Sequence, residues 1–361
     1  MGELKLMKGN EALAEAAIRA GCDGYFGYPI TPQSEVIEYL MAEKPFDRTG
    51  MVVLQAESEV ASINMLYGGG ATGKKVMTSS SSPGISLMQE GLSYIAGAEI
   101  PCVVANIVRG GPGLGDIQPA QSDYFQSVKG GGHGDYRLIV LAPSSVQEMS
   151  DFVPLAFDLS FKYRNPALIV SDGLIGQMME KVELFEPIPR LTDDEIKEKY
   201  PWATNGKPKG KPRRVMTSLD LDPNKQEKHN FHLQKKYKEI EEKEVRYEMI
   251  SCEDADYIIV AYGSSARIAQ KSIQLARNEG IKVGLLRPIT LWPFPKKQIS
   301  EFVEKGIKGF LSVEMSAGQM VEDVNLVVGG RSKVEHFGRY GGVIHSPEEV
   351  LDALKKQIVG G

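Results

Sequence analysis

Short apolar runs alternate with helical patterns along most of this chain, and glycine, proline or small polar residues follow each run. The apolar runs predict strands over residues 51–54, 75–78, 101–108 and 257–261, among others. Between them lie stretches with the apolar spacing of helices. A chain that alternates strands and helices in this way folds into a mostly parallel sheet with helices packed on its faces.

One polar segment interrupts the alternation. Residues 188–252 are rich in lysine, glutamate, aspartate and proline, so this segment cannot build a core of its own. We therefore predict an α/β fold with two doubly wound, mostly parallel sheets. The first domain spans residues 1–187, a charged linker spans 188–252 and the second domain spans 253–361. The linker is expected to wrap the surface, anchored by Trp202 and Phe231, and to end in a charged helix near residues 234–245; a role in oligomer contacts is the alternative.

The overall charge and the cysteine pattern exclude several functional classes. The net charge of −5 leaves no electrostatic footprint for nucleic acid, and no apolar run approaches the length that crosses a membrane. We expect a cytoplasmic protein. Its cysteines, Cys22, Cys102 and Cys252, lie far apart in the sequence, so this chain alone is not expected to form a disulfide or to ligate an iron–sulfur cluster.

Three polar segments of the first domain each follow a predicted strand. They are Tyr28-Pro29-Ile30-Thr31-Pro32, Gln55-Ala56-Glu57 and Arg109-Gly110-Gly111-Pro112-Gly113. Open α/β sheets build ligand sites beyond the carboxyl ends of their strands, so these segments should meet in one crevice. A hydroxyl, a carboxylate and a guanidinium together suit an acidic organic substrate beside a cofactor.

Each of these groups also has a simpler interpretation. Glu57 either complements the start of a helix or is a partly buried carboxyl, with a raised pKa, that binds a heterocyclic nitrogen; Glu59 competes for both roles. Arg109 either captures a carboxylate or phosphate or is a surface residue. Residues 79–82 either form an anion cradle at a helix N-terminus or only cap the helix.

Other common site signatures are missing from the sequence. The glycines after Arg109 do not follow the dinucleotide-binding order, and no Walker A sequence occurs. His133 lies in a glycine-rich loop with no second ligand nearby, so no metal site is predicted on this chain.

The ordered set of motifs resembles the alpha subunits of 2-oxoacid:ferredoxin oxidoreductases. It comprises the following segments: Asn10-Glu11-Ala12, Gly27-Tyr28-Pro29-Ile30-Thr31-Pro32, Gln55-Ala56-Glu57, Ser82-Pro83-Gly84, Met88-Gln89-Glu90, Val108-Arg109-Gly110-Gly111-Pro112, Leu286-Arg287-Pro288-Ile289-Thr290-Leu291-Trp292-Pro293-Phe294-Pro295 and Ser312-Val313-Glu314-Met315-Ser316-Ala317-Gly318-Gln319-Met320. The resemblance is greatest to the subunits of the multi-chain 2-oxoisovalerate and 2-oxoglutarate enzymes. It implies a pyrimidine-binding thiamine diphosphate domain followed by a domain of the transketolase C-terminal type.

The resemblance also implies a reaction and roles for particular residues. The reaction is CoA-dependent oxidative decarboxylation of a 2-oxoacid to an acyl-CoA, with electrons passed to ferredoxin. Glu57 would hydrogen-bond the aminopyrimidine ring of thiamine diphosphate, while Thr31 and Arg109 would hold the substrate. The cofactor pocket would be shaped by Tyr28, Pro29, Ile30, Ser80 and Ser81.

The Gly-Asp-Gly…Asn pattern that holds Mg²⁺ and diphosphate in thiamine enzymes is missing; Ser171-Asp172-Gly173 is the nearest approach. The family resemblance therefore implies that a beta subunit carries the diphosphate, the Mg²⁺ and a [4Fe–4S] cluster. Gamma and ferredoxin-like delta subunits would complete a homodimer of heteromers that passes electrons to ferredoxin. This chain alone would be catalytically silent.

Three alternatives to this function stay open at the level of sequence. A self-sufficient enzyme of the transketolase kind is disfavoured by the missing metal motif, and a non-catalytic scaffold is disfavoured because Thr31, Glu57 and Arg109 occur together. A 2-oxoglutarate enzyme would need a second cation in the pocket, for which Arg137 and Lys129 are candidates. The resemblance favours the branched-chain substrate 2-oxoisovalerate.

Overall fold

The computed structural model describes residues 3–207, 209–210 and 212–360. Residues 1, 2 and 361, at the outer ends of the two predicted domains, lie outside the described residues. The strands are β1 (Glu3–Lys8), β2 (Gly24–Gly27), β3 (Val52–Gln55), β4 (Val76–Ser80), β5 (Val103–Val108), β6 (Ile139–Leu141), β7 (Ala167–Asp172), β8 (Met179–Leu184), β9 (Tyr247–Ile250), β10 (Tyr257–Ala261), β11 (Val283–Pro288), β12 (Thr290–Trp292), β13 (Gly309–Glu314) and β14 (Lys333–Gly338).

The helices cover the faces of the sheets and connect successive strands. They are α1 (Gly9–Arg19), α2 (Ser34–Glu43), α3 (Pro45–Thr49), α4 (Glu59–Ala71), α5 (Ser82–Gly97), α6 (Tyr124–Val128), α7 (Val146–Tyr163), α8 (Gly173–Gln177), α9 (Asp193–Lys199), α10 (Pro223–Lys243), α11 (Gly263–Asn278), α12 (Lys296–Glu304), α13 (Met320–Val328) and α14 (Pro347–Ala353), followed by a π-helical segment, Leu354–Val359.

Two mostly parallel sheets confirm the predicted α/β fold. The seven-stranded sheet has the order β12-β6-β7-β5-β4-β2-β3, and the five-stranded sheet has the order β14-β13-β10-β11-β9. Among the described strands of these two sheets, only β12 and β9, each at a sheet edge, pair antiparallel to their neighbours. Strands β1 and β8 form a separate two-stranded antiparallel sheet. The central strands β4, β5 and β7 are buried along their whole length, which is typical of strands with helices on both faces.

The two sheets are tied together at several points. Strand β12 lies after the first two parallel strands of the second sheet in the sequence, yet it joins the edge of the first sheet through β6. Arg287, at the end of β11, is buried and pairs with Glu148 of α7 at 2.6 Å and with Glu248 of β9 at 2.9 Å. One apolar cluster continues from the first sheet onto the second, and a smaller cluster packs under α11 and α14.

The charged segment behaves differently from the expectation in two respects. Its helix α10 begins at Pro223, earlier than predicted, and buries Leu233, Tyr237 and Ile240 in the first core. Trp202 packs against Tyr200, but Phe231 is 68% exposed, so its prediction as an anchor is wrong. The predicted boundaries at residues 187 and 252 stay predictions.

Candidate active site

The polar segments identified in the sequence all lie at the carboxyl ends of the parallel strands of the seven-stranded sheet. Strands β5, β4, β2 and β3 are parallel neighbours in that order, so their carboxyl ends face the same way. The loops that follow them carry Arg109, Ser81, Tyr28 and Glu57. The structure therefore brings the sequence-predicted residues to one side of the sheet, as the strand pattern requires.

Arg109 and Thr31 are in direct contact. The Arg109 side chain is 7% exposed, and its Nη1 donates to the Thr31 carbonyl oxygen at 2.9 Å while Nη2 donates to the Leu114 carbonyl oxygen at 3.1 Å. Its Nε is buried with no hydrogen-bond partner among the described residues. The guanidinium is thus held by backbone oxygens and retains an unused donor, a charged arrangement that suits an anionic ligand.

The loop that starts at Tyr28 is held by a chain of hydrogen bonds through Gln33, Ser79 and Tyr25. Gln33 Nε2 donates to the Tyr28 carbonyl oxygen at 3.1 Å, and Gln33 Oε1 accepts from the Ser79 hydroxyl at 2.6 Å. The Ser79 hydroxyl also contacts the Tyr25 hydroxyl at 2.6 Å. Pro29 and Ile30 are half-buried, whereas Tyr28 is 37% exposed. Sequence reasoning did not identify Gln33, which orients this loop.

Two hydroxyls at the end of β4 have no hydrogen-bond partner. Ser80 and Ser81 are fully buried, yet neither Oγ has a partner within the part of the chain that the structure describes. They immediately precede α5, which begins Ser82-Pro83-Gly84. A Cβ atom on Gly84 would lie 2.0 Å from Ser80 Oγ and 2.7 Å from Glu59 Oε1. Glycine is therefore required where Ser80 and Glu59 converge.

The buried carboxylate at this edge belongs to Glu59. Glu57 is exposed, which does not fit the partly buried carboxyl that was one of its two interpretations, whereas Glu59 is 6% exposed. The role of Glu57 stays a prediction. Ser58 caps α4 by accepting from the Ala61 N–H at 3.2 Å, so Glu59 is the first helical residue. Glu59 shares its helix face with the buried Ile63 and lies one turn before it. That spacing is a sequence signal that distinguishes Glu59 from Glu57.

A cavity of about 440 Å³ opens beside Arg109. Its walls come from the start of α5, from the glycine loop over residues 109–113, and from Asp123. Gln319 and Tyr340 also line it; they belong to the part of the chain that carries the five-stranded sheet, here called the second region. Burial raises the pKa of the Asp123 carboxyl, although hydrogen bonds with Asn106 and Ser82 oppose this effect. The cavity therefore contains a cation and a carboxyl group, and both sheets contribute to its walls.

Asp172, in the nearest approach to a diphosphate motif, has a structural role. It is fully buried, caps α8 through the N–H groups of Leu174 and Ile175, and accepts from the Ser264 hydroxyl at 2.7 Å. Burial raises the pKa of this carboxyl. Its oxygens are therefore engaged by the protein itself.

Comparison with known protein families identifies the family to which the chain belongs. Residues 15–250 match the family described as pyruvate flavodoxin/ferredoxin oxidoreductase, thiamine diphosphate-binding, and residues 255–350 match core domain II of pyruvate:ferredoxin oxidoreductase. The chain belongs to this family. It is a subunit of a thiamine-diphosphate-dependent 2-oxoacid:ferredoxin oxidoreductase and thus part of a multi-subunit complex.

Individual relatives cover almost the entire chain. The ketoisovalerate oxidoreductase subunit VorB of Methanothermobacter thermautotrophicus is 49% identical over 352 residues, which are 98% of this chain and 97% of that protein. The 2-oxoglutarate synthase subunit KorA of Methanothermobacter marburgensis is 36% identical and covers 98% of this chain and 99% of its own length.

Solved structures agree with the fold. The 2-oxoglutarate:ferredoxin oxidoreductase of Magnetococcus marinus, solved with 2-oxoglutarate, coenzyme A and succinyl-CoA, aligns with a TM-score of 0.83 and 27% identity over 99% of this chain and 65% of that one. A split-gene transketolase, at 13% identity and a TM-score of 0.59, shares the fold over 98% of both chains. Among the described residues, no helix is long and apolar enough to cross a membrane.

Proposed function

We propose that this chain is the alpha-type subunit of a 2-oxoisovalerate:ferredoxin oxidoreductase. The complex would convert a branched-chain 2-oxoacid and CoA to acyl-CoA and CO₂ and reduce ferredoxin. The observation that carries this choice is the 49% identity to the ketoisovalerate subunit against 36% to the 2-oxoglutarate subunit, each over 98% of the chain.

The pocket chemistry supports an uncharged substrate side chain. A 2-oxoglutarate side chain would call for a second cation beside Arg109, and the two sequence candidates are engaged elsewhere. Lys129 forms an ion pair with Asp323, and Arg137 Nη1 donates to the Val128 carbonyl oxygen at 3.1 Å. Neither residue is among those that line the cavity beside Arg109.

The residues at the strand ends fit one half of a thiamine diphosphate site. We assign the aminopyrimidine contact to Glu59 ahead of Glu57, because a buried carboxyl group can exchange a hydrogen bond with a ring nitrogen without competition from water. Ser80 and Ser81 offer buried hydroxyls that lack partners within the described residues. Tyr28, Pro29 and Ile30 would form the neighbouring wall of that site. Thiamine diphosphate, when bound, supplies the carbanion chemistry of the reaction.

Arg109 and Thr31 are assigned to the substrate. The guanidinium would bind the 2-oxoacid carboxylate, because it is buried, oriented by two carbonyl oxygens and has an unused Nε–H group. The Thr31 hydroxyl would contact the substrate carbonyl, because Thr31 lies against the Arg109 guanidinium. Binding two groups of the substrate in fixed positions orients the carbonyl carbon for attack.

The remaining chemistry is assigned to partner subunits in the cytoplasm. A beta subunit would supply the diphosphate and Mg²⁺ site and a [4Fe–4S] cluster, and gamma and ferredoxin-like delta subunits would serve CoA and ferredoxin in a homodimer of heteromers. The surface of α4 and α5 supports docking of the beta subunit, since Val60 and Leu87, near the starts of these helices, are large and 45% and 55% exposed.

The test is a dye-reduction assay on the chain co-expressed with the neighbouring subunits. With CoA and thiamine diphosphate present, we expect 2-oxoisovalerate to have a larger kcat/KM than 2-oxoglutarate or pyruvate. A preference for 2-oxoglutarate would favour the alternative suggested by the KorA relatives. An intact, cluster-loaded complex that is silent with all three substrates would favour a scaffold role.

A further inference from the structure

A chain of hydrogen bonds runs from Arg109 into the wall of the cavity. The Arg109 backbone N–H donates to the Ser82 hydroxyl at 3.1 Å, and the Ser82 backbone N–H donates to Asn106 Oδ1 at 3.1 Å. Asn106 is fully buried, and its Nδ2 donates to Asp123 Oδ2 at 2.9 Å. Asp123, which also hydrogen-bonds the Ser82 side chain directly, is therefore the last acceptor of a chain that begins at the peptide of Arg109.

The orientation of the Asn106 amide depends on both neighbours. Its oxygen faces the Ser82 N–H and its nitrogen faces the Asp123 carboxyl group. The amide of asparagine has an acceptor oxygen on one side and a donor NH₂ on the other. Its orientation is therefore defined only when a neighbouring donor faces the oxygen and a neighbouring acceptor faces the NH₂ group. Without the Asp123 oxygen, the buried Asn106 NH₂ group loses its acceptor, and the hold on the Ser82 N–H is weakened.

We infer that Asp123 is a positioning residue for Arg109, acting through Asn106 and Ser82. The inference rests on the proposed role of Arg109 in binding the 2-oxoacid carboxylate. Asp123 sets where the Arg109 backbone lies at the end of β5, and through it where the guanidinium meets the substrate.

The second region holds Asp123 in position. Gln319, which precedes α13, donates from Nε2 to the Ser122 carbonyl oxygen at 2.7 Å and accepts on Oε1 from the Phe125 N–H at 2.7 Å. These two bonds hold the backbone on both sides of Asp123, and we call them the bracket. Gln319 is itself oriented by the buried Glu314, which accepts from the Gln319 N–H at 3.0 Å. The five-stranded sheet therefore contributes to the substrate site through this bracket.

Asp123 can accept the Asn106 bond in either protonation state. Because burial raises the pKa of its carboxyl group, the neutral form is favoured relative to an exposed aspartate. An uncharged group in the cavity wall also repels an anionic substrate less. The positioning role therefore needs an acceptor oxygen at this place rather than a negative charge, and asparagine provides one.

The experiment compares Asp123→Ala with Asp123→Asn in the co-expressed complex. We expect Asp123→Ala to raise the KM for 2-oxoisovalerate, and the Ki of the unreactive analogue 2-hydroxyisovalerate, by about tenfold, since small displacements of a binding group are costly. Asp123→Asn should restore both values to near wild type. Gln319→Ala, which keeps the Asp123 side chain but removes the two bonds to its neighbours Ser122 and Phe125, should give a smaller rise in the same two constants.

Asp323→Ala is the matched control. Asp323 accepts from the Tyr124 hydroxyl at 2.7 Å and pairs with Lys129, so it docks the same segment onto the second region but lies outside the chain to Arg109. We expect this variant to lower the thermal midpoint of unfolding and to leave KM and Ki unchanged.

Three results would overturn the inference: unchanged KM and Ki in Asp123→Ala, equal changes in Asp323→Ala, or no rescue by Asp123→Asn, which would assign the effect to the carboxyl itself. Arg109→Ala separates this inference from the proposed function. If Arg109→Ala leaves Ki unchanged, the assignment of the carboxylate to Arg109 fails. If Arg109→Ala raises Ki and Asp123→Ala does not, only the positioning role fails.

Discussion

The two sheets end in similar strand-to-helix turns but use the polar groups there differently. In the first sheet, the Ser80 and Ser81 hydroxyls after β4 are buried and have no partner within the described part of the chain. In the second sheet, the carboxylate of Glu314 at the end of β13 accepts from the N–H groups that start α13 and from two nearby serine hydroxyls. At α11, Ser264 donates to Asp172 and Ser265 donates to Gln121.

This difference indicates which sheet leaves hydrogen-bonding groups unused. A buried polar group without a partner costs about 1–3 kcal/mol, and a ligand that supplies the partner recovers that cost. Protein side chains satisfy the groups at the turns of the second sheet: Glu314 of its own β13, and Asp172 and Gln121 from the part of the chain that carries the first sheet. The first sheet leaves two hydroxyls without a partner within the described residues. The fold alone does not distinguish them, since both sheets are parallel and carry helices on their faces.

The largest expected effect tests which glutamate serves the cofactor. Glu59→Gln should lower kcat of the complex by about 10³-fold, because it removes the buried carboxyl group that we propose shares a proton with the aminopyrimidine ring. Glu57→Gln is the matched control and should leave turnover close to wild type, since Glu57 is exposed. Dye-reduction rates at saturating substrate measure both. The reverse order would restore Glu57 as the cofactor residue.

The next prediction concerns the turn after β13, where Glu314 satisfies the N–H groups at the start of α13. Glu314→Ala removes the acceptor of the three N–H groups at the start of α13 and should lower the free energy of unfolding by about 3 kcal/mol. Thermal unfolding of the complex measures the loss. Glu348→Ala, at a position in the first turn of α14, is the control for removing a glutamate near a helix start. A stability unchanged by Glu314→Ala would show that water replaces the carboxylate.

A buried histidine gives the second region a pH-dependent stability. Burial lowers the pKa of His345 to about 4, below the ordinary 6.5 of the unfolded chain. The unfolded chain therefore takes up the proton first, so the stability from His345 is complete above pH 6.5. It is lost as the pH falls towards 4, by about 3 kcal/mol in total.

Thermal midpoints measured from pH 7 to pH 4 test this dependence. His345→Phe should flatten the fall, while the same change at the exposed His133 should not. Equal slopes for the wild type and His345→Phe would contradict the assignment.

The smallest effects sharpen the comparison between the two sheets. Ser264→Ala deletes a donor to the buried Asp172 and should lower the free energy of unfolding by about 2 kcal/mol. Ser81→Ala deletes a hydroxyl with no partner among the described residues, so stability should stay unchanged or rise while the affinity for thiamine diphosphate falls. Unfolding with and without the cofactor measures both. A stability loss in Ser81→Ala equal to that in Ser264→Ala would remove the distinction between the sheets.

Much of the fold followed from local patterns, and the exceptions have a common cause. Strand β10 begins and ends where its apolar run predicts, because a buried parallel strand is itself an apolar run. The pairing of β1 with β8 and the pairing of β12 with β6 were not predicted. These pairs join segments about 150 residues or more apart, so no local pattern encodes them.

The sequence by itself determined the alternation of strands and helices, the polar residues at each strand end and the motifs that place the chain in its family. Those properties are local, since they depend on the residue types within one strand or turn. The tertiary structure decided that Glu59 is buried and Glu57 is exposed, and that Arg109 contacts Thr31. It also decided that Gln319 of the second region hydrogen-bonds the backbone on both sides of Asp123. Burial and contact depend on which segments pack together, and packing is a property of the whole chain.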